Sequence, residues 1–424
     1  MSEQNAREKK SSMALIWLCW LVYSCSYVGK VNFNANINLL QEYFEISDYS
    51  KIGIVGSLFF FAYGIGQVVN GLWCRRYNVK WMIFISLMIS GSVNLIIPLL
   101  PSFEPIKYLW VLNGFSLSVL WPTLVRLLSE SLSRKYMAKA TITMGTTVAV
   151  GTFFVYGSSA LYATFTDFKA AFFTGAAVMI GVGLVWIFSV SRITEPLKER
   201  GSTEQIQSAE ATGTASSVNS KKVIYLIICM LAVCGVATNL IKDGLSTWVP
   251  SIMKNMFGLD NSTSIILTLA LPMVAIFGNA LGVFVHKYIH DFVHQCALMF
   301  SVSSAIIVAV IASVSSGAFL VLLLGFATVT LLISSCNSLI TSIFPLFMKG
   351  KVNSGRIAGV LNGFCYLGSA LSTYVLSMIA DNYGWIAVFW TLFFVCVAIF
   401  ALAIVYALVR KFVFKAGFMH TSDR

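Results

Sequence analysis

The chain of 424 residues is 58% hydrophobic and only 11% charged, with a mean hydropathy of +0.81. An average soluble domain carries roughly 25% charged residues, so this composition excludes an ordinary soluble protein. The formal net charge of +12 does not indicate a nucleic-acid partner, because most of the basic residues lie at the chain ends and in the stretches between long apolar runs.

Apolar runs long enough to cross a bilayer recur along the chain, and each crossing helix needs about 20 such residues. A transmembrane β-barrel would instead show alternating segments of about ten residues. The pattern therefore predicts an all-α membrane protein with twelve transmembrane helices. The runs lie near 12–40, 51–73, 81–100, 106–133, 138–163, 170–192, 222–250, 262–286, 293–314, 318–347, 355–380 and 385–409.

The 29 lysines and arginines are distributed unevenly between the two sets of alternate loops. One set, together with both chain ends, holds most of them, and an excess of Lys and Arg marks the cytoplasmic side. We therefore expect a multi-pass protein of the cell (inner) membrane with both termini in the cytoplasm. The outer loops hold only Lys51, Lys107, Lys169 and Lys254.

A polar stretch rich in Ser, Thr and Ala interrupts the apolar rhythm after six runs and predicts a flexible linker. Two halves of six helices each are typical of transporters built from repeats, which bind substrate near the bilayer midplane. The expected parts are a tail at 1–11, a half at 12–193, a linker at 194–221, a half at 222–410 and a tail at 411–424.

Two lysines inside predicted spans occupy equivalent positions in the two halves. A shift of 212 residues, half the chain, brings Lys30 onto Lys242. Spacings of three and four residues put each lysine on one polar helix face with its neighbours. The first stripe contains Tyr23, Tyr27, Asn34 and Asn38, and the second contains Asn239 and Ser246.

A lysine inside a membrane costs about 3 kcal/mol on insertion scales, so Lys30 and Lys242 need a stabilising partner. A structural ion pair and snorkelling to the interface are two explanations. Asp243 adjoins Lys242, but adjacent helical residues point about 100° apart, so we expect the two not to face each other. The sequence therefore favours a substrate anion as the partner of both lysines, with Asp243 open to a role in proton coupling.

Arg126 is the third basic residue inside a span, and Glu130 follows it at the i+4 spacing of a helical ion pair. Structural pairing is the favoured interpretation, with a coupling role as the alternative. In the eleventh run a polar stripe of Asn362, Tyr366, Ser369 and Thr373 is a further candidate lining of the cavity.

We expect neither a metal nor a cofactor. The histidines at 286, 290 and 294 recur every four residues, yet their position between two spans favours a solvated loop. The nine cysteines form no CxxC pair. Since the sequence contains no nucleotide-binding loop and no nucleophile–base motif, we predict that the protein is not an enzyme.

Several segments resemble the organophosphate:phosphate antiporters of the major facilitator superfamily. "YVGKVNF" is similar to that family's Tyr-x-x-Arg-x-Asn-Phe, and "KDGLSTWVPSI" is similar to its Arg-x-Gly-x-x-x-Trp-x-Pro. "LWPTLVR" and "DNYGW" are similar too. The resemblance implies the major facilitator fold, with two pseudo-symmetric halves of six helices.

The resemblance also implies that Lys30 and Lys242, at the positions of the family's two arginines, bind the substrate's phosphate. The loop "GLWCRRYNVK" resembles the superfamily's Gly-x-x-x-Asp-Arg signature. Four positions depart from the family pattern. Both arginines are lysines, Arg75 replaces the aspartate of this loop signature, and Gln67 replaces a residue that is basic in many relatives. Lysine offers a point charge without arginine's bidentate fork, so an anion in general is better supported than a phosphate monoester.

Together these features predict a monomeric secondary transporter of a small organic anion, either a phosphorylated metabolite or a carboxylate, in contact with membrane lipid. Exchange, with inorganic phosphate as a possible counter-substrate, is the favoured mechanism. Proton-coupled symport and a transporter-like membrane sensor are the alternatives. The expected substrate-binding residues are Lys30, Lys242, Tyr27, Asn34, Asn239, Ser246, Trp248, Tyr366 and Asn362.

Overall fold

A computed structural model describes residues 3–73, 77–165, 167–204, 218–314, 317–348 and 354–412. Almost all of these residues are helical. A helix satisfies its own backbone hydrogen bonds, which is what a segment without access to water requires.

In the part of the chain that the structure describes, nine helices lie before the central linker. They are α1 (Glu3–Ala35), α2 (Ile37–Tyr43), α3 (Tyr49–Trp73), α4 (Val79–Ile96), α5 (Ile106–Leu117), α6 (Leu120–Ser131), α7 (Arg134–Gly145), α8 (Thr147–Phe165) and α9 (Phe168–Glu204). The described residues after the linker form eight more. They are α10 (Val218–Phe257), α11 (Asn261–Thr268), α12 (Ala270–Ala275), α13 (Gly278–His286), α14 (Phe292–Val314), α15 (Phe319–Ser338), α16 (Phe344–Phe347) and α17 (Ser354–Phe412). A 3₁₀ turn follows α4 at Ile97–Leu99, and a π-helical turn joins α15 to α16 at Leu339–Ile343.

The predicted spans are confirmed. Within the described residues, eleven helical stretches are long and apolar enough to cross a membrane. The last of them, Ile357–Lys411, is broken at Gly384, whose φ of 78° is left-handed. It therefore contains the last two of the twelve predicted helices.

Both ends of the predicted linker, 194–221, are helical. Helix α9 continues to Glu204 through Pro196, and α10 begins at Val218. Residues 205–217 lie outside the described part of the chain. A helix can extend beyond the bilayer because water solvates its polar side chains, so the end of an apolar run does not mark the end of a helix.

The chain divides into two compact units. Unit 1 comprises Met1–Glu45 and Ala62–Thr212, and unit 2 comprises Ile46–Phe61 and Gly213–Arg424. The first part of α3 therefore groups with the C-terminal helices. The predicted boundaries at 193 and 222 instead keep all of α3 in the N-terminal half.

Hydrogen-bonded asparagines join α1 to its neighbours in unit 1. The amide of Asn32 donates to Asn94 Oδ1 and to the carbonyl of Ala171, both over 3.2 Å. One turn later, Asn36 donates to Ser159 Oγ over 2.9 Å. Such bonds between helices contribute about 0.6–2 kcal/mol each inside a membrane. Two asparagines of "NFNANIN" thus have a structural role.

Helices α10 and α17 approach closely in unit 2 because glycines lie where they cross. A Cβ added at Gly368 would lie 2.0 Å from the carbonyl oxygen of Val236. A Cβ at Gly244 would lie 2.6 Å from Leu376 Cδ1. Small residues let helix backbones pack tightly in membranes, so the two helices form one rigid support.

A carboxylate from α17 caps the N-terminus of α3. Asp381 accepts hydrogen bonds from the backbone N–H groups of Tyr49 and Ser50, each over 2.7 Å. The Tyr49 ring lies 5.9 Å from the Trp248 ring and 5.0 Å from the Trp385 ring. Since a helix N-terminus carries partial positive charge and unpaired donors, Asp381 stabilises this end of the helix.

Replacing Asp381 with Ala should therefore lower stability by about 1 kcal/mol, the typical contribution of a helix N-cap. The measurement is the melting temperature of the detergent-purified protein. Asn382→Ala is the matched control, because that amide bonds only the carbonyl of Met378 in its own helix. Equal melting temperatures for Asp381→Ala and the wild type would contradict the capping role.

A partly buried charge cluster surrounds Asp291, between α13 and α14. Its carboxylate pairs with Arg410, which is 4% exposed, and lies 3.0 Å from His294 Nδ1. The backbone N–H of Val293 donates to it over 3.0 Å. His286 bonds Gln295 over 3.1 Å, so this turn is less solvated than its position between two spans predicted. The reason is that α17 packs against the turn through Arg410.

Burial raises the pKa of Asp291, but hydrogen bonds from His294 and the charges of His294 and Arg410 outweigh it, so the pKa lies below the ordinary value. The stabilisation is therefore present above about pH 4, the usual aspartate range, and is lost as the pH falls through the lowered pKa.

At neutral pH, Asp291→Asn should cost about 3–5 kcal/mol, because it leaves the Arg410 charge buried without its carboxylate. The melting-temperature difference from wild type should shrink as the pH drops below about 4. Asp48→Asn, which breaks an exposed pair with Lys51, is the control and should change little. A pH-independent difference would be inconsistent with this account.

Candidate functional site

Lys30 of α1 lies in an aromatic environment within unit 1. Its Nζ is 4.2 Å from the centre of the Tyr63 ring and 5.3 Å from that of Tyr27, and the residue is 9% exposed. An ammonium over aromatic faces gains about 0.5–2 kcal/mol, with the larger values where water is excluded. The two rings thus stabilise the buried charge.

The predicted stripe lies on α1 from Tyr23 to Asn34 and extends the aromatic surroundings, whereas its last residue, Asn38, belongs to α2. The Tyr23 ring lies 5.7 Å from the Tyr27 ring and 4.8 Å from that of Trp121. Asn34 and Asn38 are both buried. The face carrying the lysine is therefore lined with rings and amides, while Asn32 and Asn36 on the other face hold the helix in place.

Lys242 of α10 has a protein counter-ion, which corrects the expectation that Asp243 would not face it. Lys242 Nζ lies 3.3 Å from Asp243 Oδ1, and their side chains are 23% and 20% exposed. Adjacent Cβ atoms do diverge by about 100°, but the four-carbon stem of lysine is long enough to bend back across that angle. The pair carries no net charge.

A hydrogen-bond chain continues from Asp243 to α17. The second carboxylate oxygen of Asp243 accepts a short hydrogen bond from Ser369 Oγ. Ser369 Oγ in turn accepts from Asn239 Nδ2 over 3.1 Å. Ser369 is fully buried. The chain thus connects two residues of the predicted stripe on α10 with one of the stripe on α17.

The remaining predicted binding residues differ in exposure. Ser246, Asn362 and Tyr366 are partly exposed within unit 2. Trp248 is 1% exposed, and its indole N–H donates to the carbonyl of Ser372 over 3.3 Å. In this conformation Trp248 packs in the aromatic cluster around Tyr49, and its role toward a ligand stays a prediction.

Arg126 forms the ion pair that its spacing predicts. Its Nε lies 2.8 Å from Glu130 Oε1, and its guanidinium also donates to the carbonyl of Tyr77 over 3.4 Å. Arg75, the substituted position of the loop signature, lies outside the described residues.

Sequence reasoning missed Tyr63, because its contact with Lys30 joins two different helices. A signal was available in the spacing of Tyr63 and Gln67, four residues apart on α3. Gln67 Nε2 donates to the Tyr63 hydroxyl over 3.1 Å, which orients the ring. Gln67 thus supports the aromatic face at the position where many antiporters carry a basic residue.

A family model of the major facilitator superfamily matches residues 19–354. The chain belongs to the major facilitator superfamily. Among members of the superfamily, the membrane sensor protein UhpC of Salmonella typhimurium is 23% identical over 420 residues, which cover 94% of this chain and 91% of the relative. Sugar phosphate exchanger 3 of Bos taurus is 22% identical over 383 residues, covering 80% and 76%. These relatives confirm the resemblance to the organophosphate:phosphate antiporters.

Solved structures of the superfamily share the fold. A bacterial homologue of the human lysosomal transporter Spinster, in an inward-facing and occupied conformation, gives a TM-score of 0.74 at 13% identity. That comparison covers 96% of this chain and 99% of the other. A D-xylose–proton symporter gives 0.72 at 12% identity, with 93% and 97% covered. The protein is thus a multi-pass integral membrane protein with the superfamily's transporter fold.

The aromatic support of Lys30 can be tested by changing the ring and the hydroxyl of Tyr63 separately. Tyr63→Leu should cost about 1–2 kcal/mol, because the ammonium loses an aromatic face in a buried position. Tyr63→Phe keeps the ring, loses the hydroxyl that accepts from Gln67, and should cost less. The measurement is the melting temperature in detergent. Equal losses in both variants would show that the hydroxyl, and not the ring, is the stabilising group.

Proposed function

We propose that the protein is a secondary active transporter that exchanges small organic anions across the membrane by alternating access. The observation that carries the proposal is the presence of two lysines at equivalent sequence positions, Lys30 in unit 1 and Lys242 in unit 2. Each costs free energy inside a membrane-spanning helix, so each needs a stabilising partner. Relatives named as sugar phosphate exchangers support an anionic substrate. A phosphorylated metabolite or a carboxylate would fit this charge.

In this proposal Lys30 and Lys242 are the cationic ligands of the substrate. Hydroxyl and amide groups of the polar stripes donate the remaining hydrogen bonds. Those residues are Tyr27, Asn34, Asn239, Ser246, Trp248, Asn362 and Tyr366. An ammonium can rotate its three donors toward an anion of any shape, so lysines favour a range of anions over one bidentate geometry.

Exchange is favoured over proton symport because the N-terminal half of the sequence supplies no obvious carboxylate that could carry a proton. In exchange, a bound anion stabilises the conformations that it contacts best, so substrate binding favours the change of access. Asp243 is the carboxylate best placed to carry a proton in the alternative mechanism. We propose that both termini are cytoplasmic, as the positions of the basic residues predict.

Exchange can be tested with the purified protein in vesicles, using labelled inorganic phosphate as the probe. Uptake should require anion inside the vesicles. Lys30→Ala should weaken phosphate transport about 30-fold or more, because truncating a buried charged ligand costs about 2–5 kcal/mol. Lys51→Ala is the control, since Lys51 is exposed and pairs with Asp48.

The same vesicles distinguish the mechanisms. Uptake into anion-free vesicles driven by a pH gradient would replace exchange with proton symport. Full transport by Lys30→Ala would remove Lys30 from the binding site.

A sensor is the second candidate function, because UhpC, to which this chain is similar over most of its length, is named a membrane sensor protein. A sensor would bind its anion without moving it. Phosphate would then raise the melting temperature of the purified protein, while labelled phosphate would not enter anion-loaded vesicles. Stabilisation combined with uptake would favour the transporter.

A further inference from the structure

The cation on α10 is already neutralised within the chain. Asp243 contacts Lys242 through one carboxylate oxygen, at 3.3 Å from the ammonium, and Ser369 through the other. An incoming anion therefore does not find an isolated positive charge at Lys242. It has to separate Lys242 from Asp243 before it can pair with the ammonium.

The geometry permits that separation at a limited cost. Ser369 is fully buried, and its hydroxyl oxygen accepts from Asn239 Nδ2. Its proton has two acceptors, Asp243 and the carbonyl of Cys365 at 3.3 Å, and the charged carboxylate is the stronger one. The close packing of α10 and α17 at Gly368 fixes the serine relative to the carboxylate. A carboxylate that loses the ammonium would thus keep a charge-assisted hydrogen bond, which avoids the penalty of an unsatisfied buried acceptor.

Lysine is the mobile member of the pair. Its ammonium is at the end of a flexible four-carbon stem, whereas Asp243 has a short side chain held by Ser369. Lys242 can therefore turn from its internal partner to an external anion while the carboxylate stays in place. The displaced carboxylate would then remain close to the bound anion and repel it.

We propose that Asp243 is a tethered counter-ion that competes with the transported anion for Lys242 and thereby weakens the binding of the anion. Every anion has to replace the contact between Asp243 and Lys242, and it is then repelled by the carboxylate that remains nearby. A dianion is repelled more than a monoanion, because the Coulomb energy scales with the product of the charges. This inference rests on the proposed function, and it assigns to Asp243 the control of anion affinity.

Methyl phosphate and dimethyl phosphate are suitable probes, because they share a phosphorus centre and differ in charge. At about pH 8 a phosphate monoester carries two negative charges, since its second pKa is about 6. The diester carries one. Binding of each probe to the purified full-length protein is measured by the shift in melting temperature, which depends on ligand affinity and not on transport.

Asp243→Asn should raise the affinity for methyl phosphate about tenfold and that for dimethyl phosphate less, because the dianion is repelled more strongly by the wild-type carboxylate. Asp243→Glu keeps the negative charge and should bind both probes as the wild type does. Asp381→Asn is the matched control, the same chemical change in the same unit, and should leave both affinities unaltered.

Ser369→Ala keeps both charges and removes the partner that holds the displaced carboxylate, so it should weaken the binding of both probes. This opposite direction keeps the test valid if Asp243→Asn does not fold. Weaker binding of both probes by Asp243→Asn would overturn the proposal and make Asp243 a support for Lys242. Wild-type protein that binds neither probe would refute the proposed function itself.

Discussion

The constraint on which the described structure depends is the cost of holding an ammonium group away from water. The protein meets it in two ways. Lys30 lies over the rings of Tyr63 and Tyr27, which stabilise positive charge without adding a negative one. Lys242 pairs with Asp243, which cancels the charge. The supporting contacts follow from these two solutions, with Gln67 orienting one ring and Ser369 holding the carboxylate.

The two solutions make equivalent positions of the repeat chemically different. Helices α1 and α10 carry polar stripes with the same spacing, yet one lysine lies among aromatic rings and the other pairs with a carboxylate. In the proposed transporter the two halves would therefore contribute unequally to the recognition of an anion, although their architecture derives from one repeated plan.

Sequence reasoning succeeded where a local pattern determines structure and was incomplete where distant contacts do. The twelve helices followed from run length alone, because the bilayer thickness requires it. The ion pair of Arg126 followed from its spacing to Glu130. Tyr63, by contrast, meets Lys30 through packing of separate helices, and Asp381 caps a helix 331 residues away in sequence. The contact of Lys242 with Asp243 was missed for another reason, since side-chain length can overcome a divergent Cβ direction.

Chain adjacency of Lys242 and Asp243 has a thermodynamic consequence. Because Asp243 is covalently attached, its effective concentration at Lys242 is fixed and does not depend on conditions in the cell. For short flexible connections such a concentration is commonly in the millimolar range. A metabolite whose concentration is lower than this effective concentration, and whose intrinsic affinity for Lys242 equals that of Asp243, would pair with Lys242 less often than Asp243 does. In the proposed transporter the tether would therefore raise the metabolite concentration at which half of the carriers are occupied.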